Sequence, residues 1–66
     1  MSNIKIDKSN NVYSGGDYIG SVCYKLQGHW TAYLATTTGD EVVGQYDTDV
    51  LAAVAVGEAA AAGEMN

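Results

Sequence analysis

The chain has 66 residues, enough for one domain, with three lysines, no arginine, eight acidic residues and a formal charge of -5. Its single cysteine, Cys23, and single histidine, His29, exclude an intramolecular disulfide and a Cys/His zinc site within one chain. It contains no run of about 20 apolar residues and no apolar segment of the signal-peptide type at its N-terminus. We therefore predict a cytoplasmic domain spanning residues 1–66, with no membrane association and no cofactor.

Short strands separated by turn signals are predicted up to about residue 46. Alternating apolar and polar residues over 3–7 indicate a short edge strand. Strands over 18–26 and 29–36 are predicted from β-branched and aromatic content, with a hairpin at Gln27 and Gly28 between them. A further strand is predicted over 41–46. The segment around Val12 and Tyr13 is interpreted as a link between two turns.

Alternation along these strands predicts which side chains form the core. Val22, Tyr24 and Leu26 share one face of their strand, and Trp30, Ala32 and Leu34 share one face of the next. Tyr24 and Trp30 are expected in the core, where aromatic rings bury the most area. Tyr33 lies on the opposite face and is expected to be exposed.

One helix is predicted over about 48–62. Asp47 or Thr48 can accept hydrogen bonds from its first backbone N–H groups, and Gly63 is expected to end it. Its inward face is expected to comprise Leu51, Val54, Ala55, Ala61 and Ala62, widened by Val50. The predicted fold is α+β: an antiparallel β-meander of three to four strands with one C-terminal helix packed on one face.

Residues that could support catalysis are few. Cys23 and His29 lie on adjacent predicted strands and could form an activated thiolate, but a packed cysteine and a strand-initiating histidine are the favoured interpretation. Gly15 and Gly16 lack the Lys-Ser/Thr that follows a phosphate-binding loop, so they are assigned to a turn. We therefore predict that the protein is not an enzyme.

The charge distribution is the more informative pattern. Residues 1–25 contain all three lysines and two aspartates, whereas residues 26–66 contain six acidic residues and no lysine. Phosphate backbones are bound by Lys and Arg, so direct nucleic-acid binding is not expected. Two positions of an extended chain lie about 6.8 Å apart, comparable to neighbouring phosphates, so a row of carboxylates could imitate a nucleic-acid backbone. Helix capping and solubility are the alternative roles of these acidic residues.

The predicted partner-binding residues are four acidic side chains and two tyrosines, which offer a large contact area with a polar tip. They are Asp40, Glu41, Asp47, Asp49, Tyr33 and Tyr18. The expected partner is a protein with a basic, nucleic-acid-binding surface.

The pattern YIGSV…GHWTAYL…GDEVVGQYDTDVLAAV, within about residues 17–56, resembles small phage-encoded proteins built as a β-meander plus a helix. It also resembles in outline the three-strand-plus-helix DNA-binding domains of phage integrases, where an aromatic strand end leads into Asp/Thr and an alanine-rich helix, as Tyr46, Asp47 and Thr48 do. It departs from them because only Lys25 is available as a basic residue on the open sheet.

Small size and acidity resemble phage anti-CRISPR and other anti-defence proteins, some of which act as DNA mimics. The resemblance implies an inhibitor that binds and occludes a host nucleic-acid-binding defence complex. The alternative is a structural or assembly protein that forms a homodimer through the small-residue helix over 50–62, so both a monomer and a homodimer are considered.

Overall fold

The structure is a computed structural model that describes residues 3–25 and 28–64, and it contains an antiparallel sheet followed by one helix. The elements are β1 (Ile4–Ile6), β2 (Asn11–Ser14), β3 (Asp17–Tyr24), β4 (Trp30–Thr36), β5 (Gly39–Tyr46) and α1 (Asp49–Glu64). The strands lie in the sheet in sequence order, and each pairs antiparallel with the next. The predicted α+β class and the meander followed by a helix are confirmed.

The predicted number of strands was too low, because the sheet has five. The missed strand is β2, which pairs with both β1 and β3. It has four residues between two turns, and Val12 is its one fully buried aliphatic side chain. Such a segment is too short for apolar alternation to distinguish it from a connecting loop.

The turn before β2 is stabilised by hydrogen bonds to the Asp7 side chain. The Oδ1 atom of Asp7 accepts hydrogen bonds from the backbone N–H groups of Ser9 and Asn11, each at 2.9 Å. Asn10 then adopts a positive φ of 65°, which asparagine tolerates better than most residues. These carboxylate hydrogen bonds, led by the one from the Asn11 backbone, lower the pKa of Asp7.

The core contains small aliphatic side chains from both layers. Val12, Val22 and Ala32 come from the sheet. Their partners on the helix are Ala52, Ala53 and Val56. The predicted inward helix face was therefore wrong: Val50 and Leu51 are 61% and 55% exposed, and Ala61 and Ala62 are exposed as well. The helix is turned so that its smaller residues face the sheet.

The turned helix depends on a close approach at Gly20 in β3. A Cβ at this position would lie 2.8 Å from Val56 Cγ1 and would collide with the Tyr33 carbonyl oxygen. Glycine therefore permits two close approaches at this position, that of the Tyr33 carbonyl group on β4 and that of Val56 on the helix. Gly57, on the same helix, faces the Ile4 side chain in β1.

The aromatic part of the predicted core also requires correction. Tyr24 is 57% exposed, and Trp30 is only half-buried against the edge of the core. Their rings make an edge-to-face contact with centroids 5.3 Å apart. Tyr24 and Trp30 form the last pair of the β3–β4 ladder, beyond the small side chains of Val22 and Ala32 that form the core. Leu26 and Gln27, predicted as core and turn residues, lie outside the described residues.

The start of α1 follows the sequence prediction and its end does not. Thr48 Oγ1 accepts a hydrogen bond from the Leu51 N–H at 3.1 Å, so Thr48 is the N-cap. Gly63 lies within the helix, which extends to Glu64. The last turn is rich in alanine, and alanine favours helix strongly enough to extend it past the expected stop.

Gly20→Ala should destabilise the protein by at least about 3 kcal/mol, because the added methyl group collides with backbone that cannot move away. Gly57→Ala is the matched control. Its Cβ meets the Ile4 Cδ1 atom, the mobile end of a side chain, at 2.6 Å, and alanine gains about 1 kcal/mol of helix propensity. Urea unfolding followed by circular dichroism measures both. Equal losses from the two substitutions would contradict the close-approach argument.

The stabilising effect of Asp7 should depend on pH. Its pKa is lower in the folded state, so its contribution is complete above the ordinary aspartate value and is lost as the pH falls through the folded value. The difference in free energy of unfolding between the wild type and Asp7→Ala should therefore shrink between pH 5 and the most acidic pH at which the protein folds. A constant difference in urea titrations across that range would show that ionisation of Asp7 is irrelevant.

Candidate functional site

Two of the predicted acidic residues lie at the beginning of β5, an edge strand of the sheet. Asp40 is paired with Ala35 and Glu41 with Leu34, so their side chains leave the strand on opposite faces. Both residues are exposed, and no ion pair or hydrogen bond to another described residue neutralises either carboxylate. They bring negative charge to both sides of one edge.

The other two predicted acidic residues lie beyond the opposite end of β5. Asp47 is exposed and follows the strand directly, about 23 Å along the chain from Asp40. Asp49 is half-buried in the first turn of α1, where its Oδ1 accepts a hydrogen bond from the Val50 N–H at 2.8 Å. The structure therefore places Asp40, Glu41 and Asp47 along one edge, named here the acidic edge. Asp49 instead stabilises the start of the helix.

The strand order separates charge across the molecule. Lys5 lies in β1, and Lys8 lies in the turn after it with Asp7 between them, at the edge opposite the acidic edge. Four strand spacings of about 4.8 Å place β1 and β5 about 19 Å apart. The uneven distribution of charge along the sequence thus becomes an uneven distribution in space.

The two predicted contact tyrosines lie in different surroundings. Tyr18 is 49% exposed and makes an edge-to-face contact with Tyr13 on the neighbouring strand, with centroids 5.8 Å apart. Tyr33 was expected to be exposed but is half-buried. Tyr33 does lie on the sheet face opposite Ala32 and the helix, as its position in the strand predicted.

The sheet face away from the helix, named here the open face, is uncharged in its centre and carries Tyr33 and Val42 as well as polar side chains. Ser21, Cys23, Thr31 and Gln45 belong to it by their alternation with the core residues. Thr31 is only 3% exposed, and its Oγ1 atom has no hydrogen-bond partner among the described residues. The Thr31 hydroxyl is therefore a buried polar group without a partner among the described residues.

The possible Cys–His pair is not formed. Cys23 is exposed rather than packed, and its sulfur donates a weak hydrogen bond to the Tyr24 carbonyl oxygen at 3.8 Å. Thr31 lies opposite Cys23 on the neighbouring strand, while His29 precedes that strand. Within residues 3–25 and 28–64, no three His, Cys, Asp or Glu side chains are grouped closely enough to hold a metal ion.

The sequence interpretation missed an apolar surface on the helix. Val50, Leu51 and Val54 lie on the side of α1 away from the buried residues Ala52 and Val56. We name these three residues, with Glu58 one turn further on, the outer helix face. Its signal in the sequence is that apolar residues are spread around the helix and not confined to one side, so some remain exposed whichever side meets the sheet.

Grooves border the outer helix face on both sides. The groove toward β1 has a volume of about 360 Å³ and is lined by Ile4, Ile6, Val50, Ala53 and Val54. The groove toward β5 has a volume of about 450 Å³ and includes Asp47, Leu51 and Glu58 in its lining. The apolar residues therefore continue into an apolar groove on one side and an acidic one on the other.

Comparison with protein-family models, curated proteins and solved structures found no match to this chain. In the part of the chain that the structure describes, the helix is too short to qualify as a membrane span. The class that the fold and the site define is a small α+β domain with an acidic edge, an open sheet face and an outer helix face that exposes Val50 and Leu51.

Thr31→Val should raise the free energy of unfolding by about 1 kcal/mol, because it removes an unpaired buried hydroxyl and keeps the branched shape. Thr36→Val provides the contrast, since the Thr36 hydroxyl is exposed and accepts a hydrogen bond from the Thr38 N–H. That change should leave stability unaltered or lower it. Urea unfolding measures both variants. A large loss for Thr31→Val would mean that its hydroxyl has a partner, such as bound water.

Proposed function

We propose that this protein is a non-enzymatic inhibitor that binds and occludes a basic, nucleic-acid-binding surface on another protein. The observation that carries the proposal is the exposed acidic edge, whose carboxylates have no countercharge among the described residues. Exposed charge of one sign attracts a surface of the opposite sign and accelerates encounter with it. Binding there would exclude the nucleic acid by occupying its site.

The acidic edge supports electrostatic occlusion better than close imitation of a phosphate row. Asp40 and Glu41 point to opposite faces, and Asp47 lies at the far end of the strand. A partner that wraps around the edge could contact all three, whereas a flat phosphate-binding surface could not. The proposed DNA mimicry is therefore an imitation of the negative charge of DNA and not of its row of phosphates.

The biological setting that we propose is a phage protein acting in the host cytoplasm against a defence complex that handles nucleic acid, as anti-CRISPR-like proteins do. It is supported by the small size of the chain, its charge of -5 and its single domain of sheet and helix. The proposed activity needs no cofactor, because occlusion requires contact and charge alone.

The alternative function is a structural protein that forms a homodimer through α1. The exposure of Val50 and Leu51 favours it, because a second helix could cover both side chains. Only part of the small-residue set on which the sequence-based version of this idea relied is available for it, because Ala61 and Ala62 are exposed. Ala52 and Ala53 are already buried against the sheet.

The proposed function is tested by passing host lysate over the immobilised protein at about 0.05 M and about 0.5 M salt. A captured host protein should bind nucleic acid, should be displaced from it by this chain, and should be lost at the higher salt because exposed charges are then screened. Capture that is indifferent to salt, or a captured protein that still binds nucleic acid in the complex, would contradict the proposal.

Matched variants test whether the acidic edge is responsible. Asp40→Asn should weaken capture at low salt about two- to fivefold, the range of a single exposed ion pair. Asp17→Asn is the control, because Asp17 is an exposed aspartate at the start of β3, two strands or about 10 Å from β5. Equal weakening by both would show that net charge matters and the acidic edge does not.

A further inference from the structure

The outer helix face is an unusual surface for a domain this small. Val50 and Leu51 are adjacent and more than half exposed, and Val54 lies about one turn further along the same side. A helix side that carries several aliphatic residues is normally covered by another surface. In this structure the sheet covers one side, with Ala52, Ala53 and Val56, and leaves the other open.

Acidic side chains border this apolar surface. Asp47 and Glu58 line the groove on the β5 side together with Leu51 and Val54. Both acidic residues are exposed, and neither forms an ion pair with a described residue. An apolar centre with a charged, hydrated border is the general arrangement of a protein-binding surface.

We propose that the outer helix face is the docking surface for the basic partner inferred above, and that the partner presents an apolar ridge bordered by Lys or Arg. The proposal rests on the proposed function and adds the place of contact. Val50 and Leu51 would be buried at the centre of the interface, while Asp47 and Glu58 would pair with the basic border. Asp47 links this surface to the acidic edge, so one approach brings the partner to both.

Charge complementarity selects such a partner over a second copy of this chain. Glu58 lies on the outer helix face itself, and Asp47 borders it. Packing two copies through this face would bring these like charges together, and each copy carries a formal charge of -5. Lys5 offers little compensation, because it alternates with Ile4 and Ile6, which pack against the core, and its side chain therefore leaves β1 on the open face.

The probe for this surface is an amphipathic peptide of about 18 residues, or five helical turns, made only of leucine and lysine with the leucines on one face. Its control is a peptide with serine in place of every leucine and the same lysines. Calorimetry gives both dissociation constants, and NMR chemical-shift changes of the backbone amides locate both sites. The leucine peptide should bind at least tenfold more tightly and should shift residues 47–58.

The matched protein variants are Leu51→Ser and Val42→Ser. Both replace an exposed aliphatic side chain, since Leu51 is 55% and Val42 is 62% exposed, but Val42 lies in β5 on the open face. Leu51→Ser should weaken binding of the leucine peptide at least tenfold, because burying a leucine side chain contributes that much affinity. Val42→Ser should leave it unchanged. Circular dichroism checks that both variants keep the fold.

Three outcomes would overturn the docking surface. They are equal affinity for the two peptides, shifts confined to the open face or to residues 39–42, and equal effects of the two serine variants. A concentration-dependent dimer seen by sedimentation, abolished by Leu51→Ser and kept by Val42→Ser, would also overturn it and identify a second copy as the occupant.

These outcomes remain distinguishable from failure of the proposed function. If the leucine peptide binds residues 47–58 while lysate capture is indifferent to salt, the docking surface stands and the electrostatic function fails. If capture depends on salt and on Asp40 but not on Leu51, the function stands and the docking surface is wrong.

Discussion

The close approach of α1 to β3 at Gly20 is the contact on which the rest of the structure depends. Val56 reaches the sheet there because Gly20 has no side chain. A Cβ on residue 20 would lie only 2.8 Å from the Val56 Cγ1 atom. This contact fixes the rotation of the helix about its axis, with Ala52 and Ala53 facing the sheet. The same rotation leaves Val50 and Leu51 facing away from it.

The order of the strands in the meander determines where the charged side chains lie. Because the strands lie in sequence order, the lysines of β1 and its turn stay at one edge and the carboxylates of β5 stay at the other. A crossover connection could have placed the two groups side by side, where they would have neutralised one another. The topology therefore preserves the charge separation that the sequence contains, and β5 becomes an edge whose charges also discourage pairing with other strands.

Features that depend on local pattern or local chemistry could be predicted. They are the fold class, the two long central strands, the face shared by Ala32 and Leu34, and the Thr48 cap. The short strand β2 and the helix rotation could not. Periodicity favours the larger side chains for burial, which selected Leu51, whereas the contact at Gly20 selected the smaller Val56. That contact joins residues 36 positions apart, and no local pattern records it. In the candidate site, the excess of negative charge in the second half of the chain could be predicted by counting charged residues. The position of exposed aliphatic helix residues beside the acidic edge could not.

The helix rotation has an energetic implication for function. Burying the exposed 61% of Val50 and 55% of Leu51 would contribute about 1–2 kcal/mol for each side chain. Domains of this size are marginally stable, so the free energy that these two exposed side chains do not contribute is large compared with the total free energy of unfolding. The exposed side chains can still contribute it when a second surface covers them. The docking proposed above would use this property, because covering Val50 and Leu51 would recover free energy that the fold leaves unused.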